Sequence, residues 1–410
     1  MRRNFALLPL LIVFAGTPAS AQLALPALPG LGLPNLPRVI DPVTRTVDGI
    51  VGNVAAKVEQ LAELRVERIE RLVRQHPDAI ALDIDGEPAR LGELLVMDAD
   101  DNALARAGAA GFAVAGVDEI EGLGIAVTRL AVPQGMSLAQ AQERLATLMP
   151  DATVSSDPLH FQSGAIGTVV AMAGASRAGN VTTPVGVIDG APGVAVNVTS
   201  QRGFAKGAPI ASNHGSAVAS LLKGAGARNV NVADVYGTDP AGGNALAIAR
   251  GLGWLVAKGS RVVTISLVGP KNAVLERAIG AAQKRGIVVV AAVGNDGPAA
   301  PPAYPASYQG VVAVTAVDGR NRALIEAGRA LHLDYTAPGA DIRARNKDGK
   351  WRTVRGTSFA TPLAAVRIAA ALDRDENWRT TLAGETRDLG PKGHDDTFGN
   401  GLICGRCGRR

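Results

Sequence analysis

Aromatic residues, cysteine and histidine are all scarce in this sequence, which limits the kinds of binding site that it can form. Aromatic residues make up 3% of the chain and the basic residues are scattered, unlike the basic, aromatic-rich surface of a nucleic-acid-binding protein. The only two cysteines, Cys404 and Cys407, predict a local disulfide or, alternatively, a redox-active pair. A metal site would need two further ligands beside them. Beyond the first residues no apolar run reaches the ~18 residues of a membrane span.

Small and branched aliphatic residues are abundant instead. The 410 residues are 47% hydrophobic and include 49 glycines, which suits helices packed tightly on a sheet and is enough for two domains and an additional segment. The net charge of +5 is mildly basic and unclustered, so it predicts an ordinary solvated surface and no nucleic-acid partner.

The N-terminus has the three parts of an export signal. Arg2 and Arg3 carry positive charge, residues 5–15 are largely apolar, and Ala-Ser-Ala at 19–21 has the small-x-small form of a cleavage site. Residues 1–21 are therefore predicted to be a signal peptide, with a short buried helix as the alternative. The mature protein is predicted to be secreted or periplasmic, with no membrane contact after the signal is removed.

Composition and hydrophobic periodicity divide the rest of the chain into four segments. Proline-rich residues 22–40 predict an extended linker. Residues 41–80 predict a helical pro-segment, because apolar residues recur every three or four positions until Pro77. Residues 81–165 predict strand, helix, strand, strand, helix and strand, the order of a small α+β ferredoxin-like domain. Residues 166–410 alternate apolar strands with helices and predict an α/β fold with a mainly parallel sheet.

Four polar residues of the last segment lie where strands end or helices begin. Asp189 and Asn295 each follow an apolar strand, His214 precedes a helix of small residues, and Ser358 opens a helix with Pro362 in its first turn. Ligands of parallel sheets bind at the carboxyl ends of the strands. A serine hydroxyl becomes a nucleophile beside an imidazole that a carboxylate orients, and it needs donors for the developing oxyanion. The alternatives are a turn aspartate, a structural histidine, a helix-capping serine and a turn asparagine.

These residues lie in VIDG, HGSAVA, VGNDG and GTSFATP, and with these motifs in this order the sequence resembles the subtilisin family of serine peptidases. The resemblance covers about residues 184–402 and implies a subtilisin-like three-layer domain. It implies that Asp189 orients the imidazole, His214 is the general base and acid, Ser358 is the nucleophile and Asn295 is an oxyanion donor. The implied function is a secreted serine endopeptidase that cleaves protein or peptide substrates.

The resemblance also implies how substrate and precursor are handled. Ser266, Leu267, Val268 and Gly269 match the family's substrate-binding edge strand, where a substrate adds as an extra strand. The domain at 81–165 resembles the propeptide that assists folding and then blocks the cleft as an intramolecular inhibitor. We expect a monomer that processes itself near the junction of the two domains, at residues 158–180.

Departures from the family pattern keep other hypotheses open. The residues after Asp189 and His214 differ from the usual ones, which favours a non-catalytic binding or scaffold protein as one alternative. An esterase that uses the same three residues is the other. Val268 replaces a usual glycine and is expected to narrow the substrate pocket. The loop that binds calcium in many relatives is missing, so neither calcium nor another metal or cofactor is predicted, with a weak calcium site lined by backbone carbonyls as the alternative.

Overall fold

The structure is a computed structural model that describes residues 40–166 and 179–403. The predicted signal peptide at 1–21 and the predicted disulfide between Cys404 and Cys407 lie outside the described residues.

The chain divides into two units, residues 1–50 and residues 51–410, and the second contains all the described strands together with the candidate site. Within the described part of the chain, no helix combines the length and hydropathy that crossing a membrane requires.

The first part of the chain forms a helix and a small domain. Its elements are α1 (Ile40–Gln75), β1 (Ile80–Leu82), β2 (Pro88–Arg90), β3 (Glu93–Met97), α2 (Asp101–Ala109), β4 (Ala113–Ile120), β5 (Ile125–Ala131), α3 (Leu138–Leu148), β6 (Thr153–Ser155), β7 (Phe161–Gln162) and β8 (Ala165–Ile166).

The small domain has the predicted ferredoxin-like topology. Its four strands lie in the order β4-β5-β3-β6, and every neighbouring pair is antiparallel. Helices α2 and α3 begin at the capping side chains of Asp100 and Ser137, and Ser137 forms a reciprocal capping box with Gln140. The helices bury the face of β3 that carries Leu94 and Val96.

The opposite face of this sheet is buried against the larger domain. Side chains alternate across a strand, so Leu95 and Met97 of β3 face away from α2 and α3. They belong to the same buried cluster as Leu246 and Leu275 of the larger domain. The small domain therefore has its own core and a second apolar face that covers its neighbour.

The larger domain continues with a second series of elements. They are β9 (Val185–Asp189), β10 (Ser200–Gly203), α4 (Asn213–Ala225), β11 (Val230–Asp234), α5 (Ala245–Ala257), β12 (Val262–Ile265), β13 (Leu267–Val268), α6 (Ala273–Lys284), β14 (Val288–Ala292), β15 (Val312–Val317), β16 (Tyr335–Pro338), β17 (Ile342–Arg345), β18 (Trp351–Arg355), α7 (Thr357–Leu372) and α8 (Trp378–Glu385).

Seven strands form the central sheet in the order β10-β11-β9-β12-β14-β15-β16, and every neighbouring pair is parallel. Val185 and Val187 of β9 pack with α4 and α7 on one face, whereas Ile188 packs with α5 and α6 on the other. This is the predicted three-layer arrangement, and it aligns the carboxyl ends of β9, β12 and β14 at one edge.

The largely apolar run at 262–268 is divided at Ser266 into β12 and β13. Strand β13 leaves the central sheet and pairs antiparallel with β7. Strands β17 and β18 form a hairpin, and β18 pairs with β8. Both β7 and β8 belong to the connection between the domains, so this connection adds a strand on each side of one cleft.

Candidate active site

Asp189 and His214 form a buried pair at the carboxyl end of the central sheet. Asp189 is the last residue of β9, and His214 lies in the first turn of α4, which Ser212 caps. Nδ1–H of His214 donates to the Asp189 carboxylate, at 2.8 Å to Oδ2 and 3.1 Å to Oδ1. The carboxylate is fully buried and also accepts a bond from the Gly190 amide. This arrangement fixes the imidazole orientation and leaves Nε2 free of any hydrogen bond.

The close approach of β9 and α4 requires a glycine at the helix start. A Cβ atom on Gly215 would lie 1.9 Å from the carbonyl oxygen of Gly190. The residue after His214 must therefore lack a side chain for the imidazole to reach Asp189.

Ser358 lies in the first turn of α7, whose amino end is Gly356 in a left-handed conformation with φ 140°. The Ser358 hydroxyl donates to the Ser266 carbonyl at 3.0 Å and lies 2.7 Å from the hydroxyl of Ser163. The tilted rings of His214 and Phe359 lie 5.3 Å apart, which brings the imidazole beside the residue that follows Ser358. The His214 Nε2 atom forms no hydrogen bond with the Ser358 hydroxyl, which donates its proton to the Ser266 carbonyl.

The sequence predicted Pro362 in the first turn of α7, but it lies in the second turn. Proline at this position removes the amide that would bond the Ser358 carbonyl one turn earlier. The hydroxyl of Ser266 donates to that carbonyl at 2.9 Å instead. Ser266 therefore positions Ser358 through two hydrogen bonds, one to its backbone carbonyl and one from its hydroxyl.

Asn295 follows β14, and its side chain extends across the start of α7. Its Oδ1 atom accepts a bond from the Thr357 amide at 3.1 Å, which fixes the plane of the amide group. Its Nδ2 atom is buried and has no hydrogen-bond partner. A Cβ on Gly356 would lie 2.8 Å from that nitrogen, so the donor lies close above the backbone that leads to Ser358. A buried donor without a partner is uncommon and points to an acceptor that arrives with a ligand.

The chain's own segment 161–166 occupies the cleft beside Ser358. Phe161 and Gln162 pair with Val268 and Leu267 of the predicted substrate-binding edge. The Gln162 side chain donates to the Asp189 carboxylate at 2.9 Å. The sequence did not identify these contacts, because a short segment after a predicted domain carries no periodic signal.

The residues just before this segment are deeply buried. His160 is fully buried, and its ring lies over Gly269, where a Cβ would be 2.7 Å from the imidazole. Neither ring nitrogen has a partner with normal hydrogen-bond geometry. Burial lowers the pKa of His160 to about 4, and the nearby Pro158 backbone only partly opposes this. Asp157 accepts a bond from the Leu246 amide at the start of α5, and burial raises its pKa to about 7.

Helix α1 contacts the loop that carries Asn295. Arg68 forms two hydrogen bonds with the carboxylate of Asp296, at 3.0 and 2.9 Å, and its guanidinium lies 5.4 Å from the ring centre of Phe161. Arg65 forms a similar two-bond contact with Glu87, so the helix is tied to both domains. Among the described residues, no group of three or more His, Cys, Asp or Glu side chains is arranged to hold a metal ion.

The chain is similar to known proteins in sequence and in fold. The profile of the Subtilase family matches residues 195–401, slightly more than half of the chain, and begins after Asp189. The minor extracellular protease Epr of Bacillus subtilis is 35% identical over 167 residues, covering 39% of this chain and 26% of that protein. Subtilisin Savinase of Lederbergia lenta is 34% identical over 167 residues, covering 39% of this chain and 61% of that protein.

The similarity in fold covers more of the chain than the similarity in sequence does. Fervidolysin from Fervidobacterium pennivorans, a keratinolytic enzyme related to subtilisin, superposes with a TM-score of 0.63 and 18% identity over 78% of this chain and 60% of its own. This likeness supports the fold alone. The chain spans less than two thirds of the length of each of these three relatives. By the match to the family profile and the fold that carries it, the chain belongs to the subtilase family.

Proposed function

We propose that this protein is a serine endopeptidase that is exported as a precursor and cleaves its own chain. The observation that carries the proposal is the path of segment 161–166, which crosses Ser358 in extended form with a paired strand on either side. A peptide substrate of an endopeptidase must lie in this way. Family membership and the extracellular protease Epr among the relatives support both the reaction class and export.

In the proposed reaction, the oxygen of Ser358 attacks the carbonyl carbon of the peptide bond while its proton passes to Nε2 of His214. Asp189 holds the imidazole in the required tautomer through Nδ1 and stabilises the imidazolium that forms. The proton then moves to the leaving amine, and the acyl group remains on Ser358 as an ester. Water attacks this ester with the help of His214 and releases the carboxylate product.

Negative charge develops on the carbonyl oxygen in both steps. The unpartnered Nδ2–H group of Asn295 is the proposed side-chain donor to that oxygen. The amide of Ser358 at the amino end of α7 is the second donor, because the first amides of a helix have no partner within the helix. The amide plane of Asn295 is already fixed by Thr357, so little reorganisation is needed when the charge forms.

Before cleavage, residues of the connecting segment inhibit the site directly. Ser163 engages the Ser358 hydroxyl and Gln162 engages Asp189, so both ends of the Asp–His–Ser arrangement are occupied by the chain itself. We propose that the domain at 81–165 remains an intramolecular inhibitor until it leaves. The further partners proposed are protein or peptide substrates, with the enzyme acting as a monomer and without a metal or cofactor.

The first experiment compares the intact mass of the exported wild-type protein with that of the Ser358→Ala variant. We expect the wild type to lose an N-terminal fragment that ends within residues 158–180 and the variant to remain uncut. Cleavage of both proteins at the same position would contradict self-processing. Labelling of Ser358 by an organophosphonate, which requires an activated serine, separates a catalytic protein from a binding scaffold. Turnover of esters without any peptide cleavage would favour the esterase alternative.

A further inference from the structure

The residues on either side of the nucleophile are small, whereas the same segment begins with Phe161 and Gln162. On one side Gln162 pairs with Leu267 of β13, and on the other Ala165 pairs with Arg355 of β18. Only Ser163 and Gly164 lie between these two pairings, and the Ser163 side chain is 2.7 Å from the Ser358 hydroxyl. Ser163 and Gly164 are therefore the two residues of the segment that cross Ser358.

On the Ser163 side, Val268 closes the space beside the edge strand. A Cβ on Gly294 would lie 3.4 and 3.5 Å from the two methyl carbons of Val268, so the gap between them admits about one methyl group. One cavity is lined by Val268 and Ser163. A second cavity is lined by Val268, Gly294 and the loop at 300–304. Val268 is common to both cavities, together with Phe161 and Asp296.

On the Gly164 side, the ring of Phe359 excludes a side chain. A Cβ on Gly164 would lie 2.6 Å from Cε2 of Phe359 and 3.3 Å from the carbonyl oxygen of Arg355. The φ of Gly164 is +147°, a conformation that residues with a side chain rarely adopt. Phe359 is fully buried, so its ring has little room to move aside.

Accepting the peptidase activity proposed above, we propose that this site selects bonds with a small residue on the carbonyl side and glycine on the amine side. Val268 and Phe359 are the specificity-determining residues, and the chain's own Ser163–Gly164 bond is the first substrate. Hydrolysis of this bond consumes one water molecule, leaves a carboxylate on Ser163 and an amine on Gly164, and requires no oxidant or co-reactant.

The test uses internally quenched peptides built on residues 159–166 and the protein after its own maturation. Three peptides are compared: the natural sequence, one with phenylalanine in place of Ser163, and one with leucine in place of Gly164. We expect kcat/KM to fall at least about 100-fold for each changed peptide, because loss of fit by even one methylene changes such ratios by about 10–200-fold. Equal cleavage of all three peptides would overturn the proposal.

Substitution of Val268 supplies the decisive comparison. Val268→Gly removes the methyl groups that face Gly294, so the ratio of kcat/KM for the phenylalanine peptide over the natural one should rise at least about 100-fold. Val268→Ala should give a smaller rise and keeps the test available if the glycine variant folds poorly. Val194→Gly makes the same replacement at an exposed position and should leave the ratio unchanged. An unchanged ratio in both Val268 variants would reject Val268 as the residue that sets specificity.

Two further outcomes separate this inference from the proposed function. In the full chain, Ser163→Phe should block processing, and the added Val268→Gly substitution should restore it. If Ser358 reacts with an organophosphonate and peptides are cleaved, but at bonds between larger residues, only the specificity is wrong. If Ser358 is unreactive and no peptide is cleaved, the peptidase function itself fails, and the specificity fails with it.

Discussion

At the scale of single residues, docking of the connecting segment buries a titratable side chain that has no hydrogen-bond partner. The imidazole of His160 is fully buried and makes no regular hydrogen bond. A buried polar group without a partner costs free energy, and the cost rises steeply when the group is charged. His160 therefore docks in its neutral form, and its titration is coupled to whether the segment stays in the cleft.

We predict that acid weakens the docking of the N-terminal part through His160. The pKa of His160 falls from 6.5 to about 4 on docking. Above pH 6.5 its protonation therefore does not oppose docking, and the free energy of docking weakens progressively as the pH falls from 6.5 towards 4. The loss amounts to about 3 kcal/mol at the acid end. After self-cleavage, dissociation of the N-terminal fragment should accelerate between pH 6.5 and pH 4 relative to a variant that lacks the imidazole, as measured by size-exclusion chromatography at each pH.

The control for this prediction is His160→Phe, which keeps an aromatic ring but cannot be protonated. Asp157 acts in the opposite direction, because its pKa is raised to about 7 and its contribution is present in acid and lost as the pH rises through 7. Subtracting the profile of the variant from that of the wild type removes the effect of Asp157. Identical profiles would show that His160 does not control release.

At the scale of secondary-structure elements, the sequence predicted what depends on local periodicity. Helix α3 with its Ser137 cap and the strand that ends at Asp189 follow from hydrophobic pattern and capping residues within each element. Strands β7 and β8 were not predicted, because each exists only through a partner distant in sequence. For the same reason the sequence did not predict the contacts of Gln162 with Asp189 and of Ser163 with Ser358, which depend on where the connection between the domains lies.

We predict that Arg68 of helix α1 slows dissociation of the cleaved N-terminal fragment. Its two hydrogen bonds to Asp296 and its contact with Phe161 link the helix to the loop beside Asn295 and to the docked segment. Partly exposed ion pairs contribute about 0.2–1 kcal/mol and a cation–π contact about 0.5–1 kcal/mol. In Arg68→Ala the cleaved fragment should dissociate several-fold to about tenfold faster, which shortens the lag before peptidase activity appears.

Arg74→Ala is the matched control for that lag, because Arg74 pairs with Glu70 of the same helix. Added salt should shorten the wild-type lag and have less effect on Arg68→Ala, since it screens the pair that this variant lacks. Equal lags for wild type, Arg68→Ala and Arg74→Ala would mean that the contact with Asp296 does not restrain the fragment.

At the scale of the whole molecule, the small domain has a core of its own and a second apolar face that packs on the larger domain. One face of β3 completes its own core with α2 and α3, whereas the other covers α5 and α6 of the larger domain. This docking directs the connecting segment into the cleft, where β7 and β8 pair on either side of Ser358. We therefore predict that delivery of the bond to the nucleophile depends on this interface between the domains.

Leu95→Glu tests this dependence, because Leu95 is fully buried in the interface while its neighbour Leu94 points into the core of the small domain. A carboxylate without a partner at this position costs several kcal/mol when the domains are docked and little when they are apart. Self-cleavage, followed by intact mass over time, should therefore slow strongly although Asp189, His214 and Ser358 are unchanged. Val117→Glu, at an exposed position of β4 in the same sheet, should be cleaved at the wild-type rate. If Leu95→Glu matched the wild type, the pairing of segment 161–166 with β13 and β18 would be sufficient to present the bond, and the small domain would not be needed for its delivery.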